Sequence, residues 1–477
     1  MSPRPTGQDL EAVLRRAVPW VALLTVLLWA PLVSDARHSW DDADPEVLNN
    51  AWRLARGEPL YHGIESPPWV VSPYTPIYTG VVAALLRHTG LSYRPARLVS
   101  ILASLGVAAI LAAWAGRFRG SAREGLWAAC LLLLAPAVLY NAARPHPQML
   151  AVLLSLSAFL AFGSRRPLVA DGLSPLLAAL GVYTKQTQIF LPLCLLAWLA
   201  LHDRRRLWRY AGVLALLGLA PVPWLQAASH GAFLECVVSL GVLSYHVGQI
   251  VPVLLHHAGP LAVFLGLGVA RAWRRFRGRE AQPLDYYFAG LGAATLLSLG
   301  RVGAHGQYVT ELLVVTVLYL LRTGGLRLPK GREPLMAAQL GLLMAYALAF
   351  VLLEEGPWDR ASLRAAPRVR ALLARAPGPV ISQQGSFPLF TRGEIHIQLF
   401  HFTDLALHGR WDQGPLLREV AEERVAWVVT ESPLEEPLRG GDDLERFTPE
   451  LWRALQAHYV REAQLPPYYV YRPRQGG

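Results

Sequence analysis

The stretch Trp40–Tyr61 has the sequence WDDADPEVLNNAWRLARGEPLY, and the rest of the chain is interpreted from it. Three carboxylates, those of Asp41, Asp42 and Asp44, follow directly on the first apolar segment. After them, apolar residues recur at helical spacing, which predicts a short amphipathic helix over 45–56 that lies on a membrane interface. Asp44 is suited to the N-cap of this helix. The sequence therefore predicts an acidic helix N-terminus beside a bilayer.

The composition of the chain is that of a polytopic membrane protein. Of its 477 residues, 53% are hydrophobic and only 17% are charged, whereas a soluble domain carries more charge. The formal net charge is +11, but the basic residues lie between apolar segments, where they act as topology signals. A nucleic-acid partner is therefore not expected. The three cysteines do not form a disulfide framework.

About eleven apolar segments are candidates for transmembrane helices. They lie near 17–33, 98–114, 126–140, 148–162, 168–184, 189–201, 207–227, 251–270, 286–299, 308–321 and 335–353. A further apolar piece, 74–86, is too short to span a bilayer, and we expect it to be a juxtamembrane helix.

The distribution of basic residues predicts the orientation. Clusters such as Arg204–Arg206 fall on one side of the membrane, whereas the short loops on the other side hold only Arg144, Lys185 and Arg301. The positive-inside rule therefore places the N-terminus in the cytoplasm. Eleven crossings then place the C-terminal segment outside.

The composition changes after Leu353, where a charged, mixed segment begins. We predict a membrane domain over 1–353, with an acidic first outer loop over 35–97, and a small extracytoplasmic α/β domain over 354–477. A helix is expected over 364–376 and strands over 379–382, 425–430 and 468–471. The fold class is thus an α-helical polytopic membrane protein with a small C-terminal α/β domain.

Polar groups from distant parts of the chain meet at the predicted outer face. They are Asp41, Asp42, Asp44, Arg144, His146, Lys185, Arg301, His305 and, just inside a span, Glu311. Ionisable groups near a span are costly unless they face an interior cavity, so they mark functional sites. Lys185 strengthens this interpretation, because it is one of only two lysines in the chain.

The acidic loop resembles the first outer loop of the GT-C glycosyltransferases, which use lipid-phosphate sugars. The matching residues are Asp42 or its neighbours, Ala51, Leu54, Gly57, Pro59, Tyr61 and the run Ser72–Pro76. The segments TKQT and GRVGAHGQYVTELL resemble bacterial members of the lineage that includes 4-amino-arabinose and protein O-mannosyl transferases. One departure is that the second outer loop carries Arg144 and His146 and no carboxylate.

The resemblance implies an inverting displacement at the anomeric carbon of a polyprenyl-phosphate sugar. One of Asp42, Asp41 and Asp44 would act as general base on the acceptor hydroxyl. Cations would stabilise the departing lipid phosphate, a role for Lys185, Arg144 and Arg301. His146, His305, Glu311 and Tyr61 are further site candidates. No cofactor is certain, although a divalent metal, Mg²⁺ or Mn²⁺, stays an open option.

The expected function is therefore a glycosyltransferase, hexosyl or pentosyl, of a bacterial inner membrane. Its partners would be the bilayer, a polyprenyl-phosphate sugar and a lipid, glycan or protein acceptor outside the cytoplasm. One alternative is a flippase or transporter of lipid-linked sugars, which would show internal repeats. Another is a polysaccharide polymerase or ligase, which uses a lipid-diphosphate donor. The sugar, the acceptor and the oligomeric state do not follow from the sequence.

Overall fold

The structure is a computed structural model that describes residues 7–35, 37, 39, 43–241, 243–326, 331–353, 360–438, 440 and 442–474. It is mostly helical, with one small sheet near the C-terminus. Two of the predicted catalytic carboxylates, Asp41 and Asp42, lie outside the described residues, as does the predicted domain boundary at 353/354.

Helices lie at every one of the predicted apolar segments. Up to residue 353 they are α1 (Gly7–Ser34), α2 (Ala43–Ala55), α3 (Pro76–Thr89), α4 (Tyr93–Arg119), α5 (Ala122–Leu133), α6 (Pro136–Ala142), α7 (Gln148–Phe162), α8 (Ser174–Thr184), α9 (Phe190–His202), α10 (Arg204–Leu219), α11 (Pro221–Ala228), α12 (Ala232–Leu234), α13 (Ile250–Ala258), α14 (Ala262–Arg277), α15 (Pro283–Ser298), α16 (Gly306–Thr323) and α17 (Glu333–Leu353). Short π-helical or 3₁₀ turns connect some of them: Leu168–Leu173, Gln186–Ile189, Glu235–Leu240, Val247–Gln249 and Gly259–Leu261.

Several predicted spans are broken or short. Among the described residues, four helices are long and apolar enough to cross a membrane, or five if a bent pair counts as one span. That pair is α5 and α6, which meet at 91° where a single span over 126–140 is predicted. Pro136 opens α6 and lacks the N–H that a continuous helix needs, so the chain turns there. The helices embed the protein in a membrane, and the number of crossings stays a prediction.

The C-terminal segment forms a four-stranded sheet with helices around it. The strands β1 (Val380–Ser382), β2 (Trp427–Thr430), β3 (Tyr459–Leu465) and β4 (Tyr468–Pro473) are arranged in the order β1-β2-β4-β3. β1 and β2 are parallel, and the other pairs are antiparallel. The helices are α18 (Arg360–Leu373), α19 (Ser386–Arg392), α20 (Leu399–Leu407), α21 (Gly414–Ala421), α22 (Asp442–Arg446) and α23 (Pro449–His458).

The strand β3 has no counterpart in the sequence prediction. It lies at the sheet edge, and its residues Arg461, Glu462 and Gln464 are exposed, so the strand lacks an apolar pattern. Edge strands commonly carry charged residues that discourage pairing with other chains. The three predicted strands are the more buried ones, and their apolar runs identify them.

The C-terminal segment packs against the outer loop between α2 and α3. The backbone N–H of Trp69 donates to the carbonyl of His396 at 2.8 Å, and that of Gln398 donates to the carbonyl of Trp69 at 3.0 Å. Trp69 is fully buried and shares one apolar cluster with residues of the sheet and α20. The outer loop therefore forms one core with the C-terminal segment.

Helix α2 differs from its prediction as an interfacial helix starting at Pro45. It begins at Ala43, so Asp44 lies in its first turn and does not cap it. Polar side chains on α2 are also buried: Asn50 Nδ2 donates to the carbonyl of Val71 at 3.1 Å, and Asn49 Oδ1 accepts from the N–H of Ile395 at 3.0 Å. The helix is thus enclosed between the outer loop and the C-terminal segment. Contacts that are distant in sequence cause this difference.

Candidate active site

A cavity of about 120 Å³ lies where α2, the outer loop and the C-terminal segment meet. We call it the phosphate cavity, after the role that the sequence predicts for Lys185 and Arg301 in its wall. Its wall contains two of the predicted cations, Lys185 and Arg301. Glu46 of α2, Tyr74 of the outer loop and His401 of α20 also line it. The cavity therefore brings together residues from across the whole chain.

Lys185 is buried in the wall of this cavity and is not neutralised by an ion pair among the described residues. It lies between α8 and the turn Gln186–Ile189, where the apolar helix gives way to extended backbone. Its Nζ donates to Gln148 Oε1 at 2.5 Å and lies 5.1 Å from the ring centroid of Tyr308. A buried ammonium held by an amide oxygen and an aromatic face can still attract an anion.

Burial lowers the pKa of Lys185 to about 7. The nearby cations of Arg144 and Arg301 lower this pKa further, while the carboxylate of Glu311 opposes both effects. The ammonium therefore loses its proton near neutral pH when no anion is bound. An anion in the cavity would favour the charged form.

Arg301 enters the cavity from the connection between α15 and α16. Its Nη2 donates to the carbonyl of Gly241 at 2.5 Å. Its backbone pairs with Tyr245 in an isolated antiparallel bridge, which fixes the position of the side chain. Its Nε is buried with no hydrogen-bond partner among the described residues. A buried donor without an acceptor is costly, and a bound anion would satisfy it.

Arg144 lies in different surroundings from the other two predicted cations. Its Nε and Nη2 lie 2.7 and 2.6 Å from Asp44 Oδ1, and both side chains are fully buried. Arg144 does not line the phosphate cavity among the described residues. The ion pair connects α2 to the loop before α7, and the carboxylate of Asp44 is occupied by the guanidinium.

His146 and Tyr61 lie in the packed region next to the cavity. His146 Nε2 is 2.9 Å from the hydroxyl of Tyr74, which itself lines the cavity. Burial lowers the pKa of His146 well below its usual value, with Lys185 adding to the effect, so the ring is neutral. The hydroxyl of Tyr61 donates to the carbonyl of Tyr74 at 2.9 Å. Both residues therefore hold Tyr74 in place.

Glu311 is buried in α16 at the centre of a hydrogen-bond chain. Its two carboxylate oxygens accept from the hydroxyl of Tyr287 at 2.5 Å and from Gln188 Nε2 at 2.9 Å. Gln188 in turn accepts from the hydroxyl of Ser155. Glu311 does not line the phosphate cavity among the described residues. Its negative charge nevertheless favours the protonated form of Lys185.

The remaining predicted residue of this set, His305, is exposed and precedes α16. It lines a neighbouring cavity and is absent from the described lining of the phosphate cavity. The structure thus brings Lys185 and Arg301 into one cavity, with His146, Glu311 and the Asp44–Arg144 pair around it.

The described residues contain no group of three His, Cys, Asp or Glu side chains that could hold a metal ion. Mg²⁺ prefers oxygen ligands and is commonly held by one or two carboxylates together with water and substrate phosphate. Glu46 is the one carboxylate among the described residues that line the phosphate cavity.

A larger apolar cavity, of about 370 Å³, lies among the membrane helices. It is lined by residues of α1, α4, α5, α6, α7 and α16, with Ala142 and Ala143 directly before Arg144 and Met149 directly after Gln148. Gln148 is the residue that holds the ammonium of Lys185. The lining of the apolar cavity is therefore linked along the chain to Gln148, the residue that contacts Lys185.

Several residues in or beside the phosphate cavity were not predicted as site residues from the sequence. Gln148 follows directly on the segment with Arg144 and His146, so its place beside a charged motif was an available signal. Phe400 and His401 lie in α20, more than 200 residues from Lys185, and no local pattern marks them. Their contribution depends on how the C-terminal segment folds back onto the outer loop.

Comparison with solved structures identifies the fold. ArnT from Cupriavidus metallidurans, solved with undecaprenyl phosphate bound, superposes with a TM-score of 0.62 at 13% identity, over 95% of this chain and 97% of that one. The oligosaccharyltransferase of Archaeoglobus fulgidus gives 0.58 at 10% identity, over 98% of this chain and 74% of that one. This chain therefore shares its fold with these two enzymes. The shared fold agrees with the predicted resemblance to the GT-C glycosyltransferases.

A sequence comparison finds similarity to a glycosyltransferase family over part of the chain. The family model described as dolichyl-phosphate-mannose-protein mannosyltransferase matches residues 72–226, which include the segment with Arg144 and Lys185. No sequence among proteins with curated descriptions matches the chain. The partial family match and the shared fold both point to glycosyltransferases of membranes.

Proposed function

We propose that the protein is a glycosyltransferase that moves a sugar from a polyprenyl-phosphate donor to an acceptor on the outer face of a bacterial inner membrane. The observation that carries the proposal is that Lys185 and Arg301 both line the phosphate cavity, with Lys185 buried and the Nε of Arg301 lacking a hydrogen-bond partner among the described residues. Two cations in the wall of one small cavity suit a singly charged phosphodiester.

The apolar cavity supports a lipid-linked donor. Its lining is almost entirely aliphatic, and it includes Ala143 and Met149, the chain neighbours of Arg144 and Gln148. A prenyl chain in this cavity would have its phosphate near Lys185, since Gln148 contacts the ammonium. Burial of the chain supplies binding energy that holds the anomeric carbon in place for reaction.

The chemistry is a single displacement with inversion. The acceptor hydroxyl attacks the anomeric carbon, the bond from that carbon to the phosphate oxygen breaks, and the lipid phosphate leaves with the electron pair. Lys185 and Arg301 stabilise the negative charge that develops on the leaving oxygen. The proton of the acceptor hydroxyl passes to a carboxylate that acts as general base.

The base in this proposal is Asp42, with Asp41 as its alternative. Asp44 is the weakest of the three predicted candidates, because its carboxylate accepts a hydrogen bond from Arg144 Nε and forms a buried ion pair with that guanidinium. A carboxylate paired in this way is a poor proton acceptor, since the guanidinium stabilises its charged form. Asp44 instead links the start of α2 to the loop before α7 through its ion pair with Arg144.

No step is assigned to a metal. A requirement for Mg²⁺ or Mn²⁺ can be tested by treating the purified protein with EDTA and then restoring each cation. Loss of transfer with recovery would add a metal to the acidic loop. Unchanged transfer in EDTA would remove the metal from the mechanism.

The proposal is tested by transfer of radiolabel from defined polyprenyl-phosphate sugars in membranes that contain the protein. Labelled product should form in these membranes and be absent from matched membranes with Lys185→Ala. Movement of intact donor across the bilayer without a new glycosidic bond would instead identify a flippase. Label that moves only from a lipid-diphosphate sugar would identify a polymerase or ligase.

A further inference from the structure

A second cavity, of about 310 Å³, adjoins the phosphate cavity. Its lining comes from the connection before α13, the residues before α16, α20 and α22. Its mouth carries exposed side chains, among them His408, Leu407 and Leu444. The cavity is therefore open to the outside of the protein, and we call it the outer cavity.

The two cavities share one wall, formed by Val302, Gly303 and Phe400. Gly303 has a positive φ of 75°, which disfavours any residue with a Cβ. A Cβ built there would lie 3.3 Å from the ring of Phe400. Glycine thus allows the ring to stand against the backbone, and only one residue layer separates the two spaces.

The outer cavity contains a hydrogen-bond acceptor that the protein leaves unused. Asp404 Oδ1 accepts from the hydroxyl of Ser244 at 2.5 Å. Asp404 Oδ2 is buried, and among the described residues it has no hydrogen-bond partner. A buried carboxylate oxygen without a donor is costly, so a ligand that brings an O–H or N–H group would stabilise the site.

The two cavities differ in the charged side chains that line them. The phosphate cavity has Lys185 and Arg301 in its wall, whereas no lysine or arginine is among the described residues that line the outer cavity. The ionisable groups of the outer cavity are the carboxylates of Asp404 and Glu445 and the imidazoles of His246, His305 and His408. Carboxylates repel phosphate and accept hydrogen bonds from hydroxyl or ammonium groups.

From this contrast we infer that the outer cavity binds the acceptor, and that the acceptor presents a neutral or amino saccharide and not a phosphorylated one. The inference rests on the proposed function, because it takes the donor to occupy the phosphate cavity. The donor sugar is bonded directly to its phosphate and must lie beside Lys185, so it does not explain a space beyond Phe400. An acceptor entering from outside would reach that sugar past the ring.

Binding of small saccharide probes tests the inference without a known acceptor. The full-length protein in nanodiscs is titrated with methyl α-D-mannoside, glucosamine and mannose 6-phosphate, and binding is followed by saturation-transfer NMR. The two unphosphorylated probes should bind and mannose 6-phosphate should not. Asp404→Asn should weaken glucosamine binding about tenfold, because it removes a charged acceptor. The matched control is Glu422→Gln, at an exposed position in the same segment, which should bind as the original does.

A second variant keeps the test decisive if Asp404→Asn does not fold. Leu407 is 55% exposed at the mouth of the outer cavity, so Leu407→Lys is compatible with folding. It should create binding of mannose 6-phosphate, whereas Glu422→Lys should not. The inference is overturned if mannose 6-phosphate binds the original protein as well as glucosamine does, or if no saccharide binds. It is also overturned if Asp404→Asn, folded, binds glucosamine normally.

Polyprenyl phosphate binding is measured on the same samples to separate this inference from the proposed function. Asp404→Asn should bind polyprenyl phosphate normally, since Asp404 is absent from the described lining of the phosphate cavity. Failure of the original protein to bind polyprenyl phosphate would contradict the proposed donor. The saccharide titration would still decide whether the outer cavity selects against phosphate.

Discussion

The guanidinium of Arg144 lies 2.6 Å from the carboxylate of Asp44, and this buried ion pair joins two outer segments that are 100 residues apart. Both residues belong to the set of charged groups predicted to meet at the outer face. The ion pair changes the interpretation of both residues, because the carboxylate of Asp44 is paired with the guanidinium of Arg144. The phosphate cavity beside them keeps Lys185 and Arg301 as its cations.

Removing one partner of this pair should destabilise the protein. Asp44→Ala leaves the guanidinium of Arg144 buried without its carboxylate, a change that costs about 3–5 kcal/mol in other proteins. Thermal unfolding in detergent should show a clearly lower Tm. Glu58→Ala is the control, since Glu58 forms ion pairs with Arg53 and Arg56 while about a third exposed. An unchanged Tm for Asp44→Ala would contradict the buried pair.

Substitution of the proposed base should separate turnover from binding. Asp42→Asn keeps the size of the side chain but cannot accept the acceptor proton, so turnover should fall by about 10²–10⁴-fold. Binding of the polyprenyl-phosphate donor should be unchanged. Asp41→Asn is measured in parallel. If Asp41→Asn is inactive while Asp42→Asn turns over normally, the role of base moves to Asp41; if both are active, the acidic loop is not catalytic.

Donor binding should depend on pH through Lys185. Burial lowers its pKa to about 7, so the side chain is charged below that pH and neutral above it. Affinity for the polyprenyl-phosphate sugar should therefore weaken as pH rises through about 7 towards 9, since this phosphodiester stays singly charged. Lys185→Ala should bind the donor weakly at every pH. Lys185→Arg should recover part of the affinity and lose the pH dependence, because arginine stays protonated. If the donor affinity of the original protein does not change with pH, the result would argue against this role of Lys185.

The contact between the outer loop and the C-terminal segment should be measurable as stability. Gln398 is buried; its Oε1 accepts from the N–H of Val71 at 2.8 Å and its Nε2 donates to the carbonyl of Val71 at 3.2 Å. Gln398→Ala removes the acceptor of the Val71 N–H, while the Val71 carbonyl keeps the amide of Asn50, and an unsatisfied buried N–H costs about 1–3 kcal/mol. Gln464→Ala, on the exposed face of β3, is the control. Equal unfolding temperatures for both variants would contradict the shared core.

The orientation in the membrane follows from the arginine clusters and can be tested by labelling. In a background without Cys130, Cys194 and Cys236, we expect Ser121→Cys to be protected from an impermeant thiol reagent in intact cells, because it adjoins Arg117, Arg119 and Arg123. Ser432→Cys should be labelled. Equal labelling or equal protection of the two positions would contradict the predicted topology.

The sequence determined the properties that depend on local pattern. Apolar runs located the helices, because a membrane segment must satisfy its backbone internally and present apolar side chains to lipid. Buried strands such as β2 were also identified from a local pattern, namely their run of apolar residues. The acidic loop, Lys185 and the motif around Arg301 also stood out, because charge is rare and costly beside membrane segments.

Only the tertiary structure decided which of these charged groups act together. Spacing along the chain does not reveal that Asp44 is occupied by Arg144, or that Lys185 and Arg301 share a cavity with Phe400 and His401. These relationships are set by contacts between segments a hundred or more residues apart, which no local pattern encodes. The same is true of Asp404, an ordinary helix residue in the sequence that becomes a buried carboxylate facing an open cavity once α20 packs against the outer connections.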